Sequence, residues 1–413
     1  MRRALGYQCS ICDKSFGLDE VTYICPEDGG NLNVVLDYAG IKAAVSPQDI
    51  QTSPHQSIWR YLPLLPVGEP GFEPTSLHAV GWTPTFAPSQ LSEQTGITQL
   101  WVKDESRNPT ASFKDRASAL LVVRAREIDA EITVTASTGN AGAALAGMAA
   151  ATGRQAVIFA PKTAPPAKIA QLLIYGAKVI LVDGTYDDAF DLSVKTTREF
   201  GWYNRNTGYN PFTAEGKKTA AFEIWEQVLM PHGFDRPLCV FVSVGDGNII
   251  SGLHKGFKDL QALGWLEQMP RIFGVQSAGS AAIYNAYAAG TEEITAVSAN
   301  TLADSISVDL PRDGLRALRA ATQTNGAYLQ VRDDAILSAL SDLGSVGIFA
   351  EPAGSTSYAG VLQALKEGHI TSADPVLALN TGSGLKDVNA AMQAAGEAPV
   401  IPPELQAVKT LLG

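Results

Sequence analysis

Short β-branched runs alternate with helix-forming stretches through most of this chain, and this alternation limits the possible folds more than any other feature. The run 132–136 is followed by an alanine-rich helical stretch, and the runs 156–160 and 179–182 are each followed by a helical pattern. Strands that alternate with helices predict βαβ units, in which helices cover both faces of a parallel sheet. We therefore expect an α/β fold with apolar, buried strands.

The same reasoning predicts further elements along the chain. The predicted strands are 97–103, 132–136, 156–160, 179–182, 238–244, 272–276 and 376–379. The predicted helices are 114–126, 139–151, 168–176, 186–201, 219–229 and 249–263. The segment 46–90 is rich in proline, which disfavours regular elements and indicates an irregular, wrapping segment.

The charge of the chain limits its partners. The formal net charge is −11 over 413 residues. Nucleic acids and anionic membranes select basic surfaces, so we expect neither as a partner. Met1, Arg2 and Arg3 are not followed by the apolar core of a signal peptide, and the alanine-rich stretch 141–151 is too short to span a bilayer. These features predict a cytoplasmic protein.

Three of the four cysteines lie within the first 25 residues, in a pattern typical of a zinc ribbon. Cys9 and Cys12 form one Cys-x-x-Cys knuckle, and Cys25 begins a second in which Asp28 replaces the last cysteine. Zinc is held by four ligands, and a carboxylate oxygen can be one of them. The alternative is a ribbon that has lost its metal and is held by packing. Cys239 lies in an apolar run and is expected in the core.

Three polar, glycine-rich turns follow predicted strands directly. They are Ser-Thr-Gly-Asn at 137–140, Gly-Asp-Gly-Asn at 245–248 and Thr-Gly-Ser-Gly at 381–384. A turn of this kind before a helix presents backbone N–H groups and the positive helix end to a bound phosphate. Each turn alone is also typical of an ordinary connection or a helix cap. The segment 351–355 is predicted as another polar loop.

One lysine supplies the reactive group that these turns lack. Lys114 lies in the segment 108–116, Asn-Pro-Thr-Ala-Ser-Phe-Lys-Asp-Arg, where a turn leads directly into a predicted helix. A nucleophilic amine combined with glycine-rich anion loops is what an enzyme of pyridoxal phosphate requires. The order of the motifs therefore predicts such an enzyme.

Together these motifs resemble the tryptophan-synthase-β-like superfamily, fold type II of the pyridoxal phosphate enzymes, and within it the threonine synthase family. The resemblance covers nearly the whole chain, and an N-terminal zinc-ribbon-like segment also occurs in that family. The matching stretches are 103–105, 108–116, 136–140, 210–211, 215–219, 351–353 and 381–387.

The resemblance implies two Rossmann-like αβα domains with the cofactor between them, after a small zinc-ribbon-like segment. The segment would span 1–36. The large domain, which binds pyridoxal phosphate, would comprise 37–111 and 213–413, and the small domain inserted into it would be 112–212. A homodimer is implied as well.

The resemblance also implies a role for each motif. Lys114 would bind the cofactor covalently and later serve as the general base for the α-proton of the substrate. The implied cofactor contacts are Asn140 at the 3-oxygen of the ring, Gly245, Asp246, Gly247 and Asn248 at its phosphate, and Thr381 at the pyridine nitrogen. The implied substrate contacts are Ser137, Thr138, Asn206, Thr207 and Thr213.

Departures from the family motifs gather around the substrate. Threonine synthases convert O-phosphohomoserine and water to threonine and phosphate by γ-elimination and β-addition, and a substrate phosphate needs a cationic clamp. The family carries an arginine where this chain has Thr213, and Ala141 and Ser383 are further departures. The residues that could replace that arginine are Arg205, Lys217 and Lys218, although such residues are more often solvated surface charges.

The sequence therefore leaves the substrate open. One interpretation is a threonine synthase with a rebuilt phosphate clamp. Another is a threonine-synthase-like enzyme that acts on a different amino acid, either a serine/threonine dehydratase or a β-replacement enzyme of the cysteate synthase type. A non-catalytic ligand-binding relative is a third, and the presence of Lys114 argues against it.

Overall fold

A computed structural model describes residues 3–164 and 166–413. Met1 and Arg2, which belong to the segment where no signal peptide is expected, lie outside the described residues. The strands are β1 (Ala4–Cys9), β2 (Ser15–Phe16), β3 (Leu32–Leu36), β4 (Thr85–Phe86), β5 (Leu100–Asp104), β6 (Ile132–Ala136), β7 (Gln155–Pro161), β8 (Lys178–Val182), β9 (Tyr203–Asn204), β10 (Cys239–Ser243), β11 (Arg271–Ser277), β12 (Tyr328–Val331) and β13 (Val376–Asn380).

The α-helices alternate with these strands through the central part of the chain. They are α1 (Tyr38–Ala44), α2 (Pro47–Gln51), α3 (Ser89–Thr95), α4 (Lys114–Glu127), α5 (Asn140–Ala151), α6 (Pro166–Ile174), α7 (Tyr186–Phe200), α8 (Phe212–Lys217), α9 (Thr219–Ile224), α10 (Met230–His232), α11 (Asn248–Ala262), α12 (Ala282–Ala288), α13 (Gly314–Thr322), α14 (Asp333–Ser345), α15 (Pro352–Glu367), α16 (Val388–Ala395) and α17 (Leu405–Leu412).

The largest sheet has six strands in the order β12-β11-β10-β13-β5-β4. All neighbours are parallel except β4, which pairs antiparallel with β5 at the edge. Every residue of β5, β10 and β13 is buried, as the apolar runs predict for strands covered on both faces. Phe241 of β10 stacks on Phe273 of β11, with ring centroids 4.5 Å apart.

The second sheet is fully parallel, with the order β8-β7-β6-β9. Its four strands all lie within 112–212, the proposed inserted domain. The small residues of α5 let neighbouring segments approach closely. A Cβ atom on Gly147 would lie 2.5 Å from Cγ2 of Thr110, in the turn before the reactive lysine.

The N-terminal sheet is a small antiparallel unit with the order β2-β1-β3. Its strands lie within 1–36, and the four predicted metal ligands lie at the end of β1 and in the two turns that follow. The α/β class predicted from the alternation of strands and helices is confirmed.

Several local predictions differ from the structure. The segment 351–355 is not a loop, because α15 begins at Pro352, and proline fits the first position of a helix. The proline-rich segment 46–90 contains short regular pieces, including the 3₁₀ helices Ile58–Leu64 and Ser76–Ala79. The helix predicted over 219–229 contains a π-helical turn at Trp225–Leu229.

Candidate active site

A cavity of about 310 Å³ lies where strands of the two larger sheets end. The carboxyl end of β6, the carboxyl end of β10 and the residue that follows β13 all line it. Ligands of parallel α/β folds bind at such carboxyl ends. The predicted site residues that line it are Lys114, Ser137, Thr138, Asn140, Thr207, Gly245, Asp246, Gly247, Asn248 and Thr381.

Lys114 is positioned by pairing between two distant segments. The backbone N–H of Phe113 donates to Thr381 O at 2.9 Å, and the N–H of Ser383 donates to Ala111 O at 3.1 Å. Ala111 has a φ of 63°, a left-handed conformation that is uncommon for a residue with a Cβ atom. The pairing brings Lys114, at the start of α4, and Thr381 to the same cavity.

A buried ionic network anchors the first turn of α4. The Arg116 guanidinium donates to both oxygens of Glu105 at 2.7 Å and also to both oxygens of Glu223. Lys103 completes the cluster with a contact of 2.8 Å to Glu223. Burial alone would raise the pKa of Glu223, but the charges of Arg116 and Lys103 lower it to about 2. The two positive charges and the two negative charges of this cluster therefore compensate each other around Arg116, which is close to Lys114 in the sequence.

The amine of Lys114 has a pKa below its ordinary value. Burial is the main cause, and the positive charge of Arg205 adds to it, while the carboxylates of Glu351 and Asp246 oppose it. A lowered pKa increases the fraction of neutral amine, the form that attacks a carbonyl carbon. Lys114 therefore combines the position and the protonation state of a nucleophile.

The turn 245–248 joins β10 to α11 with glycine where other residues would clash. Gly247 has a φ of 89°. A Cβ atom there would lie 2.6 Å from Cβ of Ala317 and 2.7 Å from Asp313 O. The first N–H groups of a helix have no acceptor within the helix, so the start of α11 can bind an anion.

Gly247→Ala should weaken the binding of pyridoxal phosphate about tenfold or more, because the alanine forces the turn to move. A strained backbone costs about 1–3 kcal/mol, and tenfold in affinity corresponds to about 1.4 kcal/mol. Gly290→Ala is the control, since Gly290 has a φ of 66° and open space around it. Cofactor titration followed by absorbance measures the effect, and equal affinities of the two variants would contradict the role of the turn.

Unpaired polar atoms at the cavity fit a polar cofactor. Ser243 Oγ and Arg205 Nη2 are buried and have no hydrogen-bond partner among the described residues, and both residues line the cavity. Buried polar groups are normally satisfied, so these atoms indicate an absent ligand. Together with the amine of Lys114 and the turn 245–248, Ser243 Oγ fits pyridoxal phosphate, and Arg205 Nη2 fits a further anionic group.

Asn140 contacts a residue that the sequence did not place in the site. Its Nδ2 donates to both carboxylate oxygens of Glu351, at 2.8 and 2.9 Å. Burial raises the pKa of Glu351, and the positive charge of Lys114 opposes this rise. The motif 351–353 is the sequence signal for this contact, although its proline and glycine predict a polar loop and not a part of the site.

The three candidate replacements for the family arginine are all buried, so they are not solvated surface charges. Arg205 and Lys217 line the cavity. Lys218 forms ion pairs with Asp259 and Glu215 and is not among the residues that line the cavity. The structure therefore gives the cavity two cations besides its lysines at 114 and 168.

Asn206 and Thr213, predicted to contact the substrate, do not line the cavity. Asn206 Oδ1 accepts from the backbone N–H of Ala136 at 2.8 Å and from the hydroxyl of Thr135. The hydroxyl of Thr213 donates to the backbone oxygen of Asn210 at 2.7 Å. Both side chains support the local structure, and of the predicted substrate contacts at 206, 207 and 213 Thr207 alone lines the cavity.

Further cavity residues carry no motif that sequence reasoning could have found. Lys168 of α6 forms an ion pair with Asp304, and both residues line the cavity. Tyr186, at the start of α7, also lines it. A second ion pair of 2.6 Å joins Arg312 to Asp187. These contacts connect the inserted segment with the rest of the chain near the cavity.

Across the described residues, we find no helix with the length and apolar character that crossing a membrane requires.

Comparison with known proteins shows the family of the chain. The family model described as pyridoxal-phosphate dependent enzyme matches residues 77–382. A threonine synthase of Methanocaldococcus jannaschii is 36% identical over 408 residues, which cover 98% of each chain. A threonine synthase of Methanosarcina acetivorans is 34% identical, with 97% of each chain covered. One from Mycobacterium tuberculosis is 33% identical over 88% of this chain and 98% of its own.

Solved structures show the same fold. A diaminopropionate ammonia lyase of Escherichia coli superposes with a TM-score of 0.66 and 21% identity, covering 78% of this chain and 90% of its own. A threonine deaminase of Solanum lycopersicum superposes with a TM-score of 0.64 and 23% identity, covering 76% of this chain and 88% of its own. From the family model over residues 77–382 and the threonine synthases that match nearly the whole chain, the chain belongs to the threonine synthase family of the pyridoxal-phosphate-dependent enzymes.

Proposed function

We propose that this enzyme is a threonine synthase, a lyase that converts O-phosphohomoserine and water to threonine and phosphate. The observation that carries the proposal is the environment of Arg205. This side chain is fully buried, and its hydrogen bonds go to two neutral hydroxyls, those of Ser118 and Thr207. Nη2 has no partner within the described ranges.

A buried guanidinium without a carboxylate is costly to the fold. Burial lowers the pKa of Arg205 to about 10, since nearby acidic groups compensate only partly. Breaking a buried ion pair costs about 3–5 kcal/mol because one charge is left uncompensated. A bound anion at the cavity would remove that cost, and a guanidinium suits a phosphate in particular.

Lys217 adds a second buried basic side chain to the cavity. Its Nζ donates to Asn248 Oδ1 at 2.6 Å, next to the anion-binding turn. Burial, with the positive charges of Arg205 and Lys114, lowers the pKa of Lys217 well below its ordinary value. A phosphate bound here would raise this pKa again. Arg205 and Lys217 thus supply the cationic clamp that position 213 lacks.

The other predicted site residues would hold the cofactor and the substrate. Pyridoxal phosphate, when bound, supplies the electron sink for carbanion chemistry. Lys114 would hold the cofactor and then move the α-proton of the substrate as a general base. The turn 245–248 would hold the cofactor phosphate, and Ser137 and Thr138 would contact the substrate. Thr381 would place a neutral hydroxyl, not a carboxylate, at the ring nitrogen.

The direct test is to incubate the holoenzyme with O-phosphohomoserine and follow both products. We expect phosphate and threonine to appear in equal amounts. A keto acid formed from serine or threonine, without phosphate release, would favour a dehydratase. Product formed from a β-substituted amino acid and an added nucleophile would favour a β-replacement enzyme.

Arg205→Met should weaken substrate binding without destabilising the ligand-free protein. The loss of a charged hydrogen bond costs about 1.5–3 kcal/mol, so KM for O-phosphohomoserine should rise roughly 10- to 150-fold. The Tm of the ligand-free protein should stay unchanged or rise, because an uncompensated buried charge is removed. Steady-state kinetics and thermal unfolding measure the two effects.

Lys218→Met is the matched control. Lys218 is equally buried but is paired with Asp259 at 2.9 Å. We expect this variant to lose stability and to keep its KM. An Arg205→Met enzyme with reduced Tm and unchanged KM would rule out the anion site.

We further propose that the enzyme is a cytoplasmic homodimer with the domain division given above. The separate sheets within 1–36 and 112–212 support that division.

A further inference from the structure

The four predicted metal ligands converge to one point. The ligand atoms of Cys9, Cys12, Cys25 and Asp28 all lie within 4.8 Å of one another. Sγ of Cys9 is 3.3 Å from Oδ1 of Asp28, and Sγ of Cys12 is 3.8 Å from Sγ of Cys25. Tetrahedral zinc with bonds of about 2.3 Å to sulfur and about 2.1 Å to oxygen requires edges of roughly 3.6–3.8 Å.

The surroundings of the cluster are those of a structural metal site. All three cysteines are free thiols. The backbone N–H of Ile11 donates to Sγ of Cys9, and the N–H of Gly30 donates to Asp28 Oδ1 at 2.8 Å. Contacts of this kind orient metal ligands. A unit of this size has little apolar core of its own, so a metal would contribute directly to its folding.

The ribbon also contacts two segments that lie next to residues of the cavity. The side-chain amide of Asn31 donates to Gly208 O at 2.5 Å and to Arg312 O at 3.1 Å. Asn31 lies beside the metal ligands, since its backbone oxygen accepts from Ser10 at 2.9 Å. Gly208 follows Thr207, whose hydroxyl accepts from Arg205.

A second series of contacts connects the ribbon with Lys217, the other residue of the clamp. Arg316 donates to Leu32 O of the ribbon at 3.1 Å and pairs with Asp313. Asp313 accepts from Asn248 Nδ2 at 2.7 Å, and Asn248 accepts from Lys217. Arg205 is therefore connected to the ribbon through two hydrogen bonds and the Thr207–Gly208 peptide bond, and Lys217 through four polar contacts.

We propose that the ribbon binds one zinc ion through Cys9, Cys12, Cys25 and Asp28, and that this ion fixes the phosphate clamp of the active site. The metal holds the turn that carries Asn31. Asn31 then holds the loop of Arg205 against the segment of Arg312. The second half of this inference rests on the proposed function, whereas the metal site does not.

Zinc content tests the first half. We expect one zinc per chain in purified holoenzyme by elemental analysis, and its loss in Asp28→Ala. Asp28→Cys should retain the zinc, because a thiolate is a good zinc ligand. A ribbon held only by packing would bind no zinc in any of these proteins. Absence of zinc after refolding with zinc supplied would overturn the inference.

Asn31→Ala tests the coupling without touching a metal ligand. It should keep one zinc per chain and bind inorganic phosphate about tenfold more weakly, because two hydrogen bonds that hold the clamp are lost. Calorimetric titration of the cofactor-loaded enzyme with phosphate measures this. Leu5→Ala, at a ribbon side chain that is 65% exposed, should change neither quantity.

The outcomes separate the two proposals. A wild-type enzyme that binds zinc but no phosphate would count against the proposed function and would also remove the coupling. Equal phosphate affinity in wild type and Asn31→Ala, with zinc present in both, would overturn the coupling alone.

Discussion

Lys114→Ala is expected to abolish the visible absorbance of bound pyridoxal phosphate and to lower kcat by several orders of magnitude. The amine of Lys114 lies at the start of α4 and lines the cavity, and burial lowers its pKa, as a nucleophile requires. Loss of general base catalysis alone costs about 10²–10⁴-fold. Absorbance spectra and steady-state rates of the reconstituted variant measure both effects.

A surface lysine provides the comparison for Lys114. Lys162 forms an exposed ion pair with Asp183, and its side chain is 56% exposed. Lys162→Ala should keep both the spectrum and the rate. If Lys114→Ala retained the absorbance band, the lysine would not be the covalent cofactor ligand and the enzyme class would have to be reconsidered.

Arg116→Met should destabilise the protein by about 3–5 kcal/mol, because it leaves the buried carboxylates of Glu105 and Glu223 without their main partner. The midpoint of denaturant unfolding measures the change. Because α4 begins at Lys114, cofactor binding should weaken together with stability.

Arg332→Met removes the same type of side chain from an exposed ion pair. Arg332 is 80% exposed and pairs with Asp334, and such pairs contribute about 0–1 kcal/mol. Equal unfolding midpoints for Arg116→Met and Arg332→Met would mean that the buried network does not hold the first turn of α4.

The sequence predicted the class of fold well because that class follows from periodicity. The prediction of local structure failed between β12 and β13, where the segment 351–355 (Glu-Pro-Ala-Gly-Ser) leads into α15. Proline and glycine there indicate a loop, but Pro352 occupies the first helical position. Gly354 is required by packing, since a Cβ atom would lie 2.0 Å from Asn380 Oδ1. Such a tertiary requirement cannot be read from neighbouring residues.

The candidate site was predictable where a motif fixes the backbone and unpredictable where only a side-chain direction matters. The turn 245–248 and Lys114 line the cavity as expected. Thr213 and Asn206 flank the matching stretch 210–211, yet their side chains bond to local groups. Conversely, Arg205 and Lys217 could be named as candidates, but only the tertiary structure shows that both are buried at the cavity.

The position of β13 has a consequence for the order in which parts of the protein can fold during synthesis. Within the described residues, strand β5 is joined to the parallel strands of the sheet through β13, and Asn380 donates to Asp104 at 2.8 Å across 276 residues of chain. The segment beside Lys114 pairs with residues 381–383. Residues up to about 383 must therefore leave the ribosome before these contacts can position Lys114. A nascent chain that ends before β13 can fold the segment 112–212, but it lacks the strand that holds β5 in the sheet.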